Sequence, residues 1–216
     1  NGIIMSRTES ISIMNFIART LSIALHPLLM PVYVLFFLFS SNTFFSFLPG
    51  VTKLYCYVVT VGLLLLIPLA SLPLFKFFHL IRNYELEDKQ ERIYPILVTV
   101  FCAFLGFWLL GFVAYTVIVQ QLYLTLVVLL SLFFIITLYW KMSMHMTAIG
   151  GVCGFLITIA LKYAGDVRGD FMLMLVLAGL LAASRLYLKK HTPLQVYAGF
   201  LFGLCFVVAI QLYSTL

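Results

Sequence analysis

Charge is scarce in this chain: only 9% of its 216 residues are Asp, Glu, Lys or Arg, and just seven are acidic. Soluble domains carry roughly 25% charged residues. With 64% hydrophobic residues and a mean hydropathy of +1.15, the shortage excludes an ordinary soluble domain. No polar stretch is long enough to build a separate one, so residues 1–216 read as a single transmembrane domain. The net charge of +6 is spread over loops that flank apolar runs, which leaves no footprint for nucleic acid. Cysteine is also sparse. Cys56, Cys102, Cys153 and Cys205 each lie inside an apolar run with no CxxC pair, which argues against a disulfide framework or a zinc site. Asn1 to Ile4 read as a cloning remnant before a natural start at Met5, and residues 1–18 as an interfacial segment. No cleavable leader is seen, so the first apolar run is expected to insert and stay.

What is abundant is hydrophobic length. Runs near 20 residues are predicted at 20–40, 53–78, 94–117, 121–140, 147–164, 171–188 and 193–214. Backbone groups in lipid must be paired internally, and these runs do not alternate as barrel strands do, so they should be helices. The expected fold class is all-α, a polytopic membrane bundle of six to seven transmembrane helices. The breaks fall at residues 40–43, 82–92, Gln120-Gln121, 141–145, 165–170 and 189–193. Pro27, Pro31, Pro68 and Pro73 predict kinks or early helix ends in the first two spans.

Seven spans put the N-terminus and the loops after spans two, four and six on one face. Those loops carry Lys89 and Arg92, Lys141 and His145, and Arg185 and His191. Such residues are rare at membrane depth and mark working sites there. The same face holds Arg7, Arg19, Lys76, Arg82, Lys189 and Lys190, leaving Lys53, Lys162 and Arg168 opposite. The positive-inside rule puts the more basic face in the cytoplasm. Simpler roles exist for several of these groups. Arg185, Lys189 and Lys190 can snorkel, and Lys141 beside Trp140 matches an aromatic belt. Gly199 and Gly203 form a GxxxG packing pattern, and Gly150, Gly151 and Gly154 allow close helix approach. His26 and His79 have no partner in the motifs and fall outside the predicted site.

Several cations, two histidines and hydroxyls, with no carboxylate beside the histidines, suit an anionic ligand better than a metal. Neither metal nor cofactor is expected. Thr192-Pro193 reads as an N-cap followed by a first-turn proline, which starts the last span there. Gln195, four residues after His191, shares its helical face and can accept the imidazole Nδ1–H, leaving Nε2 free to attack. Ser143 and His145 stand where the fifth span begins, and unpaired helix N–H groups there can bind an anion.

These residues resemble the type 2 phosphatidic acid phosphatase superfamily of integral membrane phosphatases. Ser184, Arg185 and His191 match the spacing of its third signature, Ser-Arg, five residues, His, three residues, Asp, with Gln195 in place of the Asp. Ser143-Met144-His145 resembles its Ser-Gly-His, and Lys89-Gln90-Glu91-Arg92-Ile93-Tyr94-Pro95 is a compressed form of its first signature, Lys, six residues, Arg-Pro. The resemblance covers roughly residues 80–205. The run Arg185 to Val196 looks like the form found in dolichyl diphosphatases, and glucose-6-phosphatases carry a similar His-x-x-x-Gln-Val. The resemblance implies that His191 attacks phosphorus to form a phosphohistidine, while His145 protonates the leaving oxygen and then activates water. Arg185, Lys89, Arg92 and Ser143 would hold phosphoryl oxygens, with Lys141 assisting. The implied partner is a lipid phosphate or diphosphate, with a polyprenyl tail favoured, in a bacterial inner membrane. Related carrier phosphatases commonly face outward or into a lumen, which leaves the face of the site open.

Two other readings are carried. Glu85, Asp88 and Glu91 are spaced at threes and could hold magnesium-diphosphate, as in membrane prenyltransferases, although a second acidic motif is missing. A degenerate family member that binds an anionic lipid without turnover is the other.

Overall fold

The structure, a computed structural model, describes residues 2–41, 43–84 and 90–214, with side chains from Ser12 onward. The chain is an all-α polytopic membrane bundle, and seven of its segments are long and apolar enough to cross a bilayer. The first combines α1 (Gly2–Ala24) with α2 (Met30–Ser40). They are separated at His26, whose extended backbone leads into a 3₁₀ turn over Pro27–Leu29. The break follows from Pro27, which disfavours helical geometry in the residue before it. Pro31 sits in the first turn of α2, where a missing N–H is tolerated.

The second span joins α3 (Gly50–Thr60) to α4 (Ile67–Phe77) through a π-helical stretch over Val61–Leu66. Pro68 explains the bulge, because it has no N–H for the carbonyl four residues earlier and its ring crowds that carbonyl. The helix widens instead of ending. Pro73 lies within α4, which stops at His79 in a left-handed conformation (φ 59°). His79 is thus a helix terminator, and the Leu80 N–H bonds Phe75 O at 2.9 Å across it.

Helices α5 (Ile93–Leu110) and α6 (Val117–Tyr139) form a hairpin. Its turn lies at 111–116, upstream of the expected break at Gln120-Gln121. Both glutamines fall inside α6. The Gln120 amide donates to Phe107 O (3.3 Å), and Thr116 Oγ1 donates to Leu110 O (2.6 Å), so these polar side chains close the end of α5. Gly106 makes room for the Tyr123 ring, since a Cβ there would overlap it.

The remaining spans are α7 (Met144–Tyr163), α8 (Arg168–Tyr187) and α9 (Pro193–Tyr213). The α7–α9 pair is the most extensive helix contact in the bundle, and glycine makes it possible. A Cβ at Gly154 would sit 2.6 Å from Leu204 O, and one at Gly199 2.8 Å from Ser143 O. At Gly150 and Gly203 it would overlap the carbonyls of Phe200 and Thr147. Gly151 has only an ordinary contact, with a Val207 methyl group. Near the C-terminal end of α9, Gln211 Nε2 donates to Thr125 Oγ1 (2.8 Å), tying α9 to α6. Tyr123 OH donates to Thr60 Oγ1 (2.9 Å), tying α6 to the bulged span. Such interhelical bonds stabilise membrane bundles by about 1 kcal/mol each.

Gly150→Ala and Gly203→Ala should each destabilise the bundle by about 1–3 kcal/mol through overpacking against backbone. The readout is a lower unfolding midpoint in detergent. Gly179→Ala is the control: an added Cβ there meets nothing within 4 Å, so the midpoint should hold or rise.

Candidate active site

The close α7–α9 seam sets two helix beginnings side by side, and the site grows from them. Helix α8 ends first. Lys189 takes a left-handed φ of 52°, and the Lys190 N–H bonds Arg185 O at 3.2 Å, a C-terminal turn usually built on glycine. The chain then reverses within a few residues and presents His191 immediately before α9. Thr192 is the N-cap, and its side chain accepts the Gln195 N–H while Gln195 Oε1 accepts the Thr192 N–H (3.1 Å). The same Gln195 oxygen lies 3.1 Å from His191 Nδ1. Since Oε1 already accepts a backbone N–H, it can only accept from the ring as well. The imidazole proton therefore resides on Nδ1, and Nε2 carries the lone pair.

His191 lines one end of a cavity of about 240 Å³, together with Arg92, His145, Arg185 and Tyr84. Beyond this polar end the walls are apolar, with Leu64 and Pro68 from the bulged span, Leu122, Leu126 and Leu129 from α6, and Val152 and Phe155 from α7. The stretch of α6 from Val119 to Phe133 follows the cavity for about 21 Å at 1.5 Å per residue. It is a charged head chamber continued by a greasy groove. On the other side of His191 lies an open depression lined by Lys141, Lys189, Lys190, Thr192 and Gln195. His191 is common to both.

Arg92, His145, Arg185 and His191 thus come together from three chain reversals and the helix ends beside them: Arg92 from a 3₁₀ turn at Gln90–Arg92 that leads into α5, His145 from the first turn of α7, and Arg185 from the last turn of α8. Lys141 and Gln195 stand on the far side of His191. Ser143 lines neither space. It is fully buried against α9, its N–H donates to Gln195 O (3.2 Å), and its hydroxyl has no hydrogen-bond partner among the described residues. Lys89, with Glu85 and Asp88 of the acidic run, lies outside the described residues, and Glu91 Oε1 accepts the Arg82 N–H at 3.1 Å. Ser184 of the matched signature donates to Leu180 O within its own helix.

Sequence reasoning passed over one residue. His26 lines the head chamber, and its ring meets His145 edge-on at a centroid distance of 5.4 Å and 85°. Its Nδ1 accepts the Leu28 N–H at 3.3 Å, capping the turn that follows. His145 is fixed as well, with Nε2 3.2 Å from Ser22 O. The available signal was a histidine within a membrane span immediately before a proline. The proline predicts the kink, and the kink is what turns the histidine beside it toward the chamber.

Burial pushes the His191 pKa down to about 4 despite the opposing hydrogen bond that the ring donates to Gln195 Oε1, and the nearby Arg92, Arg185 and Lys141 charges add to the fall. The ring is neutral at pH 7 and its Nε2 lone pair is free. In comparisons with family models, curated proteins and solved structures, nothing matches the chain.

Imidazole NMR of ring-labelled protein should show His191 titrating near pH 4 instead of 6.5. Gln195→Glu, which keeps the capping geometry and adds a negative charge, should raise that value. Between about 6.5 and 4 the unfolded chain binds a proton that folded His191 does not, so its contribution to stability should be lost as pH falls through that window.

Proposed function

We propose that the chain is an integral membrane lipid phosphatase of the type 2 phosphatidic acid phosphatase superfamily. It hydrolyses a lipid phosphate or diphosphate, with a polyprenyl chain the favoured tail, in a bacterial inner membrane. One observation carries the reading: a neutral histidine, its Nδ1–H held by Gln195, faces a chamber with two guanidinium groups that opens into an apolar groove between helices. Arginine recognises phosphate oxygens bidentately, and two of them offset charge that would otherwise repel a nucleophile.

In the first step His191 Nε2 attacks phosphorus, and the bond to the leaving oxygen breaks as the N–P bond forms. Arg92 and Arg185 hold the phosphoryl oxygens, the resemblance gives Lys89 the same role, and Lys141 adds positive charge from the adjoining depression. Ser143, which the resemblance gives to the phosphoryl oxygens, is fully buried against α9 and lines neither space, so it supports the start of α7. His145 Nε2–H is committed to Ser22 O, so proton exchange occurs at Nδ1. Protonated there, His145 gives its proton to the leaving oxygen, then takes one from the water that cleaves the phosphohistidine. Gln195 orients the ring without carrying charge, which leaves His191 weakly basic.

Purified protein should release phosphate from a polyprenyl phosphate or diphosphate, from phosphatidic acid or from phosphatidylglycerol phosphate. His191→Ala should lower the rate at least about 10³-fold and abolish acid-labile phosphoenzyme. Binding without release by the wild type would instead identify a lipid-binding protein. EDTA should leave the rate within about twofold, because the cations are side chains, whereas strict magnesium dependence would favour the prenyl-diphosphate reading. Leu126→Trp, which fills the groove, should raise KM for a long-chain substrate about tenfold, one to two kcal/mol, and leave a short water-soluble phosphate ester unaffected.

A further inference from the structure

We propose that His26 is a third catalytic group of this site, a neutral imidazole whose Nε2–H donates a hydrogen bond to the leaving side of the phosphoryl group. The inference rests on the phosphatase reading above.

Three rings line the head chamber, and each has one nitrogen fixed by a partner of known polarity. Gln195 Oε1 can only accept, so His191 has its proton on Nδ1. The Ser22 carbonyl can only accept, so His145 has a proton on Nε2. The Leu28 N–H can only donate, so His26 Nδ1 is an acceptor and its proton is on Nε2. In their neutral forms, then, the second nitrogen of His191 and of His145 carries a lone pair, and His26 alone of the three has an N–H not already donated. Among the described residues that N–H has no hydrogen-bond partner.

The position of His26 defines its side. Its ring edge contacts His145, the proton donor to the leaving oxygen, at 5.4 Å between centroids. When His191 attacks, the electron pair of the breaking P–O bond moves onto that oxygen, which takes the proton from His145 Nδ1. His26 keeps its own proton throughout. Its hydrogen bond strengthens as charge accumulates, and removing a single such donor lowers rates by about 10²–10³ in other enzymes. Water attack on phosphohistidine involves no lipid leaving group, so that second step does not need His26.

The test separates these steps. His26→Ser keeps an oxygen that can cap the Pro27–Leu29 turn, and His26→Asn keeps both the cap and a side-chain N–H. Single-turnover phosphorylation of His191 would be measured with a polyprenyl monophosphate and with p-nitrophenyl phosphate, whose leaving group needs little help. With the lipid, His26→Ser should slow phosphorylation about 100-fold and His26→Asn should recover at least tenfold of that. With the aryl ester, His26→Ser should lose less than about fivefold. Hydrolysis of the phosphohistidine should stay within about threefold in both variants. Equal losses on the two substrates, slowed dephosphorylation, or no loss at all would each overturn the role of His26. If His26→Ser does not fold, the lipid-to-aryl rate ratio of His26→Asn relative to wild type carries the test, and an unchanged ratio overturns the role. A wild type inactive on both esters overturns the phosphatase reading itself, and this inference with it.

Discussion

Helices α7 and α9 can lie against each other only where neither has a side chain, and four glycines supply those places. Gly150 and Gly154 receive the carbonyls of Phe200 and Leu204, while Gly199 and Gly203 receive those of Ser143 and Thr147. Lipid tails are as apolar as leucine, so little hydrophobic force drives such helices together, and close van der Waals contact must do it. The spacing sets more than stability. It brings the first turn of α7, with His145, to the level of the first turn of α9, with Gln195 and the adjoining His191. Ser143 donates its N–H directly to Gln195 O across this junction, so the two helix starts are hydrogen-bonded to each other as well as packed.

On that frame the site achieves charge control almost without acid. No described residue that lines the chamber or the adjoining depression carries a carboxylate. Arg92, Arg185 and Lys141, together with burial, keep His191 unprotonated, and a neutral amide holds it in place.

Much of this was readable from residue order. Seven apolar runs separated by polar punctuation implied the bundle, and span parity implied that the groups near Arg92, His145 and His191 share one face. The capping pattern at Thr192 placed Gln195 beside His191 because local helix geometry is stereotyped. Three things were not legible, each for a physical reason. The α5–α6 turn is not legible because Gln120 and Gln121 look like loop residues, yet the Gln120 side chain bonds the end of α5 and Gln121 is buried within α6. Ser143 reads as a ligand by spacing alone, and spacing does not reveal that the α7–α9 seam buries it. His26 lies far from the other site residues in sequence, and only the fold of the first span around α7 brings its ring to His145.

The π-helical stretch at Val61–Leu66 bears on this arrangement in one more way. An α-helix turns about 100° per residue, so a bulge that absorbs an extra residue resets the angular phase of everything after it. Thr60 and Leu64 face the cavity within the bulge region, and Pro68 and Leu72 continue the same wall one and two turns later. Winding residues 61–66 as regular α-helix, with no residue removed, would rotate Pro68 and Leu72 by about 100°, away from the groove. The irregular turn thus acts as a phase correction, keeping one continuous stripe of the second span aimed at whatever occupies the membrane-level groove.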